Sequence, residues 1–153
     1  MGPPLVTTRY LLDTNILVYV HDGAEPDKQV RAKEILARVG SEPSAALPAQ
    51  ALAEFASVAL RKLKPPMDPS LLYAQVEALE RAFPVLPLTP AVVLEAIRAV
   101  RERKLSYYDA QVWAAAKLGQ IPVLLSEDFD SGAVLEGVTF LNPFGDEFDV
   151  SSL

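Results

Sequence analysis

The chain has 153 residues, half of them hydrophobic, and a formal net charge of -6; that is core enough for one folding unit and too little for two comfortable ones. No apolar run is long enough to cross a bilayer, Met1 is not followed by a basic-then-apolar leader, and Val6 stands where lipidation of Gly2 would need Ser or Thr, so a cytoplasmic protein with no membrane partner is expected. The absence of Cys and the single His exclude disulfide scaffolds, thiolate zinc sites, cysteine nucleophiles and multi-histidine metal centres; the acidic balance disfavours a protein that coats nucleic acid, but not a nuclease whose carboxylates are offset by a cation.

Tyr10-Leu11-Leu12 reads as a short apolar strand that stops at Asp13 and meets a helical segment from Ile16 to Val20. A second helix is predicted from about Pro26 to Val39, with Gly40 placed to end it in a left-handed conformation. Ala45-Ala46-Leu47 has the character of a strand, after which Pro48 opens a helix to about Lys64, stopped by Pro65-Pro66. Asp68-Pro69 and Thr89-Pro90 are cap-then-proline signatures that start helices running to Ala82 and Arg103, with a strand from Phe83 to Leu88 between them. Ser106 is placed to cap a further helix through Leu118, closed by Gly119, and Val123-Leu124-Leu125 and Val138 to Leu141 read as strands. The residues after Asn142-Pro143-Phe144 have the composition of a loose acidic tail.

Strands alternating with helices predict an α/β fold, because each parallel crossover needs a helix, and the surplus of helices fits an added helical hairpin around Pro65-Pro66. In such sheets ligands collect at the carboxyl ends of the strands. Asp13 follows the first strand and Asp128 follows Val123-Leu124-Leu125, so both are predicted on one rim. Asp109 in the first turn of its helix and Glu54 early in the helix after Pro48 are placed to point there too. Gathered carboxylates repel and raise one another's pKa unless a cation intervenes. A cluster of oxygen donors without His or Cys suits Mg2+ or Mn2+, and such an ion binds a phosphodiester oxygen, acidifies a water and stabilises the leaving oxygen.

Each acid also has an ordinary reading. Asp13 alone is as well explained as a helix cap, Glu54 as a solvated helix acid near the Arg61 face, and Asp128 as a turn residue. Ser106 and Asp109 have nearly the spacing of a capping box. Asp109 is the most informative, because the helix it opens, Ala110 to Leu118, is apolar almost all round; a charge entering such a helix is costly without a partner.

Taken together, four stretches resemble the motifs of the PIN-domain family: Leu11-Leu12-Asp13-Thr14-Asn15-Ile16-Leu17-Val18-Tyr19, Gln50-Ala51-Leu52-Ala53-Glu54-Phe55, Leu105-Ser106-Tyr107-Tyr108-Asp109-Ala110, and Leu124-Leu125-Ser126-Glu127-Asp128-Phe129, followed by Val138-Thr139-Phe140-Leu141-Asn142-Pro143-Phe144. The likeness covers nearly the whole chain in order and is nearest to the VapC-type toxins of bacterial toxin-antitoxin pairs. It implies a three-layer sandwich with a central parallel sheet of four to five short strands. On this reading residues 1–153 form a single domain with a core at about 9–144, a short N-terminal extension and an acidic C-terminal tail. It also implies a Mg2+- or Mn2+-dependent endoribonuclease that acts on RNA, forms a homodimer and is inhibited by a small antitoxin reaching into the acidic cleft. Asp13, Glu54, Asp109 and Asp128 then take metal and catalytic roles, with Asp13 and Asp109 as principal ligands and the other two completing a second position or orienting the water. Thr14, Asn15 and Ser126 would support them by hydrogen bonds, and Glu127 competes with Asp128 for the fourth place. Tyr108 stands where many members carry Trp.

For substrate, Arg61, Lys62, Arg103 and Lys104 are the cations placed to meet phosphate, although a basic helix end is equally explained by the helix dipole. His21 lacks a second His and reads as a surface or interface residue rather than a catalyst; Trp113 and Tyr107 read as core or dimer contacts. An aspartyl-phosphatase reading of Asp13 fails because Asn15 stands where a second Asp is required. Two alternatives stay open: a housekeeping PIN nuclease without an antitoxin, and a non-catalytic binding module of the same fold.

Overall fold

The computed structural model describes residues 8–42 and 44–153, so the expected N-terminal extension and the leader and lipidation positions lie outside the described residues, apart from its last residue. The elements in chain order are β1 (Tyr10–Leu12), α1 (Thr14–Tyr19), α2 (Pro26–Ser41), β2 (Ala45–Pro48), α3 (Ala49–Arg61), α4 (Pro69–Ala82), β3 (Val85–Leu86), α5 (Pro90–Arg103), α6 (Tyr107–Leu118), β4 (Val123–Leu125), β5 (Val134–Leu135) and β6 (Val138–Leu141), with a closing 3-10 turn at Val150–Ser152. They form one sheet of order β3-β2-β1-β4-β6-β5, parallel except for β5, which pairs antiparallel with β6.

The α/β sandwich follows from the alternation of side chains across the strands. Tyr10, Leu12, Ala45, Leu47 and Leu125 face a core shared with Ile16 and Leu17 of α1, Ile35 of α2, Phe55 of α3 and Leu72 of α4. Leu11, Ala46, Leu124, Val138 and Phe140 face the opposite core, built on Ala96 of α5 and Trp113 of α6. Among the described residues, four helices therefore cover one face and two the other. The chain winds outward from β1 through β2 to β3, then returns to place β4 on the other side of β1, so the direction of winding reverses between β1 and β4. Loops diverge at such a switch point and leave a crevice beyond the strand ends.

Several expected boundaries move, each for a local reason. Helix α1 begins at Thr14 rather than Ile16 because Asp13 caps it, its Oδ1 accepting from Thr14 N at 2.7 Å. Gly40 does not end α2 in a left-handed turn; the helix continues through it to Ser41. Helix α3 stops at Arg61, short of Lys64, since the residue before Pro65 is driven out of the helical region and the last turn loosens ahead of it. Strand β3 has two residues instead of six, because Pro84 and Pro87 lack the N–H that pairing needs, which suits only an edge. Both cap-then-proline helices start where expected: Asp68 accepts from Ser70 and Leu71 N, and Thr89 from Val92 N.

Two features were not anticipated. The sheet has six strands rather than four to five, because Leu135-Glu136-Gly137-Val138 makes a two-residue hairpin in which Glu136 and Gly137 both hold positive φ, 46° and 87°. The acidic tail is docked, not loose: Arg31 donates to the carbonyls of Pro143 and Phe148 at 2.8 and 3.3 Å, Arg38 to those of Leu153 and Ser151 at 3.1 and 3.2 Å, and Val150 and Leu153 pack on the core beneath α2.

Candidate active site

Asp13 leaves β1 at the rim beside β4, where its N–H donates to Leu125 O at 3.1 Å and so continues the parallel ladder one step past Leu12 and Leu125. Its side chain is buried, 4% exposed, and both oxygens are engaged: Oδ1 by Thr14 N and Oδ2 by the Ser126 hydroxyl at 2.7 Å. Burial dominates its protonation, pushing the carboxyl up from 3.8 to about 6 against those two hydrogen bonds, with the nearby charges of Asp128 and Glu54 adding to the rise. The helix cap and the rim carboxylate are thus one residue.

Glu54, half-buried on α3, has a donor on each oxygen, Thr14 Oγ1 at 2.9 Å and Gln50 Nε2 at 2.8 Å. Gln50 itself is buried. Its Nε2 also donates to Tyr108 O at 3.1 Å, and its Oε1 accepts from the buried Gln111 Nε2 at 2.8 Å. That pair of amides ties the helix bearing Glu54 to the first turn of α6, one residue before Asp109. Gln111 was missed by the sequence reading. Its signal was a lone amide inside an otherwise apolar helix, a position that demands a buried partner.

Asp109 sits half-buried in the first turn of α6, ahead of a run from Ala110 to Ala116 that is wholly buried. Ser106 occupies the cap position but bonds no backbone N–H; its hydroxyl donates to Asp109 Oδ2 at 2.8 Å instead. Neither residue therefore caps the helix through its side chain.

Asp128 is exposed in the turn after β4, where Asn15 Nδ2 donates to its Oδ2 at 3.1 Å and its own N–H donates to Ser126 Oγ at 3.0 Å. Partial burial of its carboxyl leads in raising its pKa, followed by the charges of Asp109 and Glu127. Ser126, fully buried, thus links Asp13 to the turn carrying Asp128, and Asn15 Nδ2 reaches it as well at 3.3 Å. Asn15 Oδ1 is buried and has no hydrogen-bond partner among the described residues. The adjacent acid turns elsewhere: Glu127 accepts from the Tyr19 hydroxyl and from Lys28 Nζ, the latter at 3.0 Å.

Asp13, Glu54 and Asp128 are linked through Thr14, Asn15 and Ser126, Gln50 reaches from Glu54 to the carbonyl of Tyr108 beside Asp109, and the neighbouring carboxylates add to the raised pKa values of Asp13 and Asp128. The four acids do not close on a point: among the described residues no three carboxylate or imidazole groups are gathered tightly enough to ligate one ion as they stand. Each carboxylate is instead held by its own protein donor.

The cations expected to meet substrate are dispersed. Arg61 and Lys62 are exposed at the end of α3, where Arg61 Nη2 donates to Ser57 Oγ at 2.6 Å. Lys104 is exposed between α5 and α6 with φ 58°. Arg103 is turned towards Glu136 at 3.4 Å. His21 stacks on Phe55 with ring centroids 5.5 Å apart, and burial lowers its pKa. Trp113 is core, fully buried with its Nε1 donating to Leu135 O at 3.2 Å.

Similar folds occur among solved structures. A toxin-antitoxin complex from Klebsiella pneumoniae superposes with a TM-score of 0.64 at 22% identity, covering 88% of this chain and 97% of that one. DNA-bound VapBC from Salmonella typhimurium gives 0.60 at 19% identity, covering 88% and 97%. VapC20 of Mycobacterium tuberculosis, described as a sarcin-ricin-loop-cleaving toxin, gives 0.59 at 17% identity, covering 79% and 89%. A search of curated proteins by sequence finds no match. A family model for the PIN domain matches residues 10–134, from the first residue of β1 into β5, and the chain therefore belongs to the PIN-domain family.

Proposed function

We propose that this protein is a divalent-metal-dependent endoribonuclease with its active site at the rim of Asp13, Glu54, Asp109 and Asp128. One observation carries the reading: at the switch point of the sheet, acids from four separate segments line one rim, and among the described residues no cationic side chain is bonded to any of the four. The pKa values of Asp13 and Asp128 are raised, first by burial and then by the neighbouring carboxylates. The donor set fits Mg2+ or Mn2+, since it is all oxygen, and the unpartnered Asn15 Oδ1 adds a further neutral donor at the same place. When bound there, such an ion supplies Lewis acidity towards a phosphodiester oxygen and a water of lowered pKa.

The protein's own part is positioning. Asp13 and Asp109 are proposed as the principal ligands. Ser126 and Thr14 fix the direction of the Asp13 carboxylate, and Thr14 also reaches Glu54. Glu54 and Asp128 are proposed to complete the ligand set or to orient the attacking water in line with the leaving oxygen. Lys104, Arg61 and Lys62 are the cations proposed to meet the RNA backbone; Arg103 would first have to leave Glu136. Similarity to toxin-antitoxin complexes and to VapC20 supports a role as the toxin of a toxin-antitoxin pair restrained by a small antitoxin; action in the cytoplasm and dimerisation are further parts of the proposal. We further propose that residues 1–153 act as one domain.

RNA cleavage with Mg2+ by the parent chain, Asp13→Asn and Asp109→Asn tests the reading. Each variant should lose more than about 100-fold in turnover while remaining folded, ligands mattering at least as much as their supports. Near-parental cleavage by both would remove the assignment, and a parent without any cleavage would favour the non-catalytic module. Co-purification with the product of a neighbouring small gene would distinguish a toxin from a housekeeping nuclease.

A further inference from the structure

The turn after β4 carries two adjacent acids, and the structure sends them to opposite sides. Asp128 meets Asn15, while Glu127 is directed over the end of α1 and the start of α2. There a closed ring of three groups forms. Lys28 Nζ donates to Glu127 Oε2 at 3.0 Å and to the Tyr19 hydroxyl at 3.1 Å, and that hydroxyl donates to Glu127 Oε1. Lys28 Nζ also lies 4.8 Å from the centroid of the Tyr19 ring, whose edge-on contact with Phe144 at 5.0 Å fixes it from behind.

Both oxygens of Glu127 are therefore occupied by donors from outside the acidic rim. Its charge is balanced by Lys28, a residue 99 positions away. A half-exposed ion pair of this kind contributes little to stability, so its consequence is geometric. With Glu127 tied down, the turn between Ser126 and Asp128 has one direction. Released, Glu127 would add a fifth negative charge one residue from Asp128 and compete with it for the same position.

We propose that Lys28 and Tyr19 are positioning residues for Asp128, holding Glu127 against α1 and α2 so that the turn presents a single carboxylate beside Asn15. The proposal rests on the reading of Asp128 as part of the catalytic rim. Neither Lys28 nor Tyr19 is expected to touch substrate or metal; they act through the turn.

Two measurements on the full chain separate this from its alternatives. The first is amide hydrogen exchange of Glu127–Phe129 without added metal, which does not depend on any activity. Lys28→Met and Tyr19→Phe should each speed exchange in that segment while leaving β1 and α6 unchanged. The second is steady-state RNA cleavage with Mg2+. Each variant should lower kcat about tenfold, the lower end of what supports of a metal ligand cost, with KM within about twofold. Neither should add to the loss already caused by Asp128→Asn, because residues acting through one group are not additive with its removal. The proposal is overturned if exchange at the turn is unchanged, if Lys28→Met raises KM and spares kcat as a phosphate contact would, or if its loss is the same with Asp128→Asn as without it. Faster exchange at the turn in a parent that cleaves nothing would sustain the positioning and remove the nuclease reading instead.

Discussion

Two groups of acids in this molecule face opposite circumstances. On the outer face of α5 and α6, Glu95, Glu102 and Glu136 are threaded with Arg98, Arg103 and Lys117: Arg98 bonds Glu95, reaches Glu102 at 2.7 Å and Glu136 at 2.8 Å, and Lys117 reaches Glu95 at 2.9 Å and Glu136 at 3.0 Å. At the rim of β1 and β4, Asp13, Glu54, Asp109 and Asp128 receive, among the described residues, only hydroxyl, amide and backbone donors. The protonation shifts follow: hydrogen bonds from Lys117 and Arg98 pull Glu136 down to about 2, whereas burial among like charges pushes Asp13 up to about 6. Acids paired with cations hold a fold together. Acids assembled without them keep their charge unbalanced by the protein, which is what the proposed function requires of the rim.

The largest expected contrast between the two groups is in catalysis. Asp109→Asn should abolish RNA cleavage to below about a hundredth of the parent value, whereas Glu136→Gln should leave it within about twofold, since Glu136 serves the hairpin and not the rim. Equal losses in the two variants would erase the distinction.

Stability against pH should contrast next, and with opposite signs. Asp13 has a folded pKa above its unfolded value, so its contribution is fully present below about pH 4 and is lost as pH rises through about 6. A displacement from 3.8 to about 6 corresponds to roughly 3 kcal/mol. Urea unfolding of Asp13→Asn in the presence of a chelator should therefore show a gain of that order at pH 7 to 8 over the parent, shrinking towards zero at pH 4. Glu136 has a depressed pKa, so its contribution is present above about 4.5 and lost as pH falls through about 2. Glu136→Gln should cost about 1 kcal/mol at neutral pH, with the difference diminishing in high salt, as expected for an exposed network.

A smaller effect on activity, but an informative one, is expected between the two groups. Gln111→Leu leaves Gln50 Oε1 buried without its donor, which should cost about 1–3 kcal/mol in unfolding and lower cleavage about tenfold by loosening Glu54. If cleavage is untouched while stability falls, the amide pair belongs to the core alone.

Much of this was legible in local sequence. Asp68-Pro69 and Thr89-Pro90 start helices because a capping side chain and a fixed φ act within a few residues. The position of Asp13 and Asp128 on one rim followed from strands that end just before them. What the sequence hid were pairings between distant partners. Lys28 and Glu127, Gln50 and Gln111, and the arginines of α2 that grip tail carbonyls meet only after the sheet has formed. No periodicity marks a backbone carbonyl as the acceptor for Arg31 or Arg38, so the acidic tail read as loose. Strand β5 was missed although Glu136-Gly137 between apolar pairs is a hairpin signal, because two residues are too few to show alternation. The separate donors that hold the rim acids were not legible either, since Ser126, Thr14 and Asn15 reach them only in the folded chain.

The central claim is that these four acids share a divalent cation. Crystals grown with Mn2+ and measured at the manganese edge test it directly: the account predicts an anomalous peak bordered by the carboxylates of Asp13 and Asp109, on the side facing Glu54 and Asp128. A peak at some other part of the surface, or none at millimolar Mn2+, would contradict it.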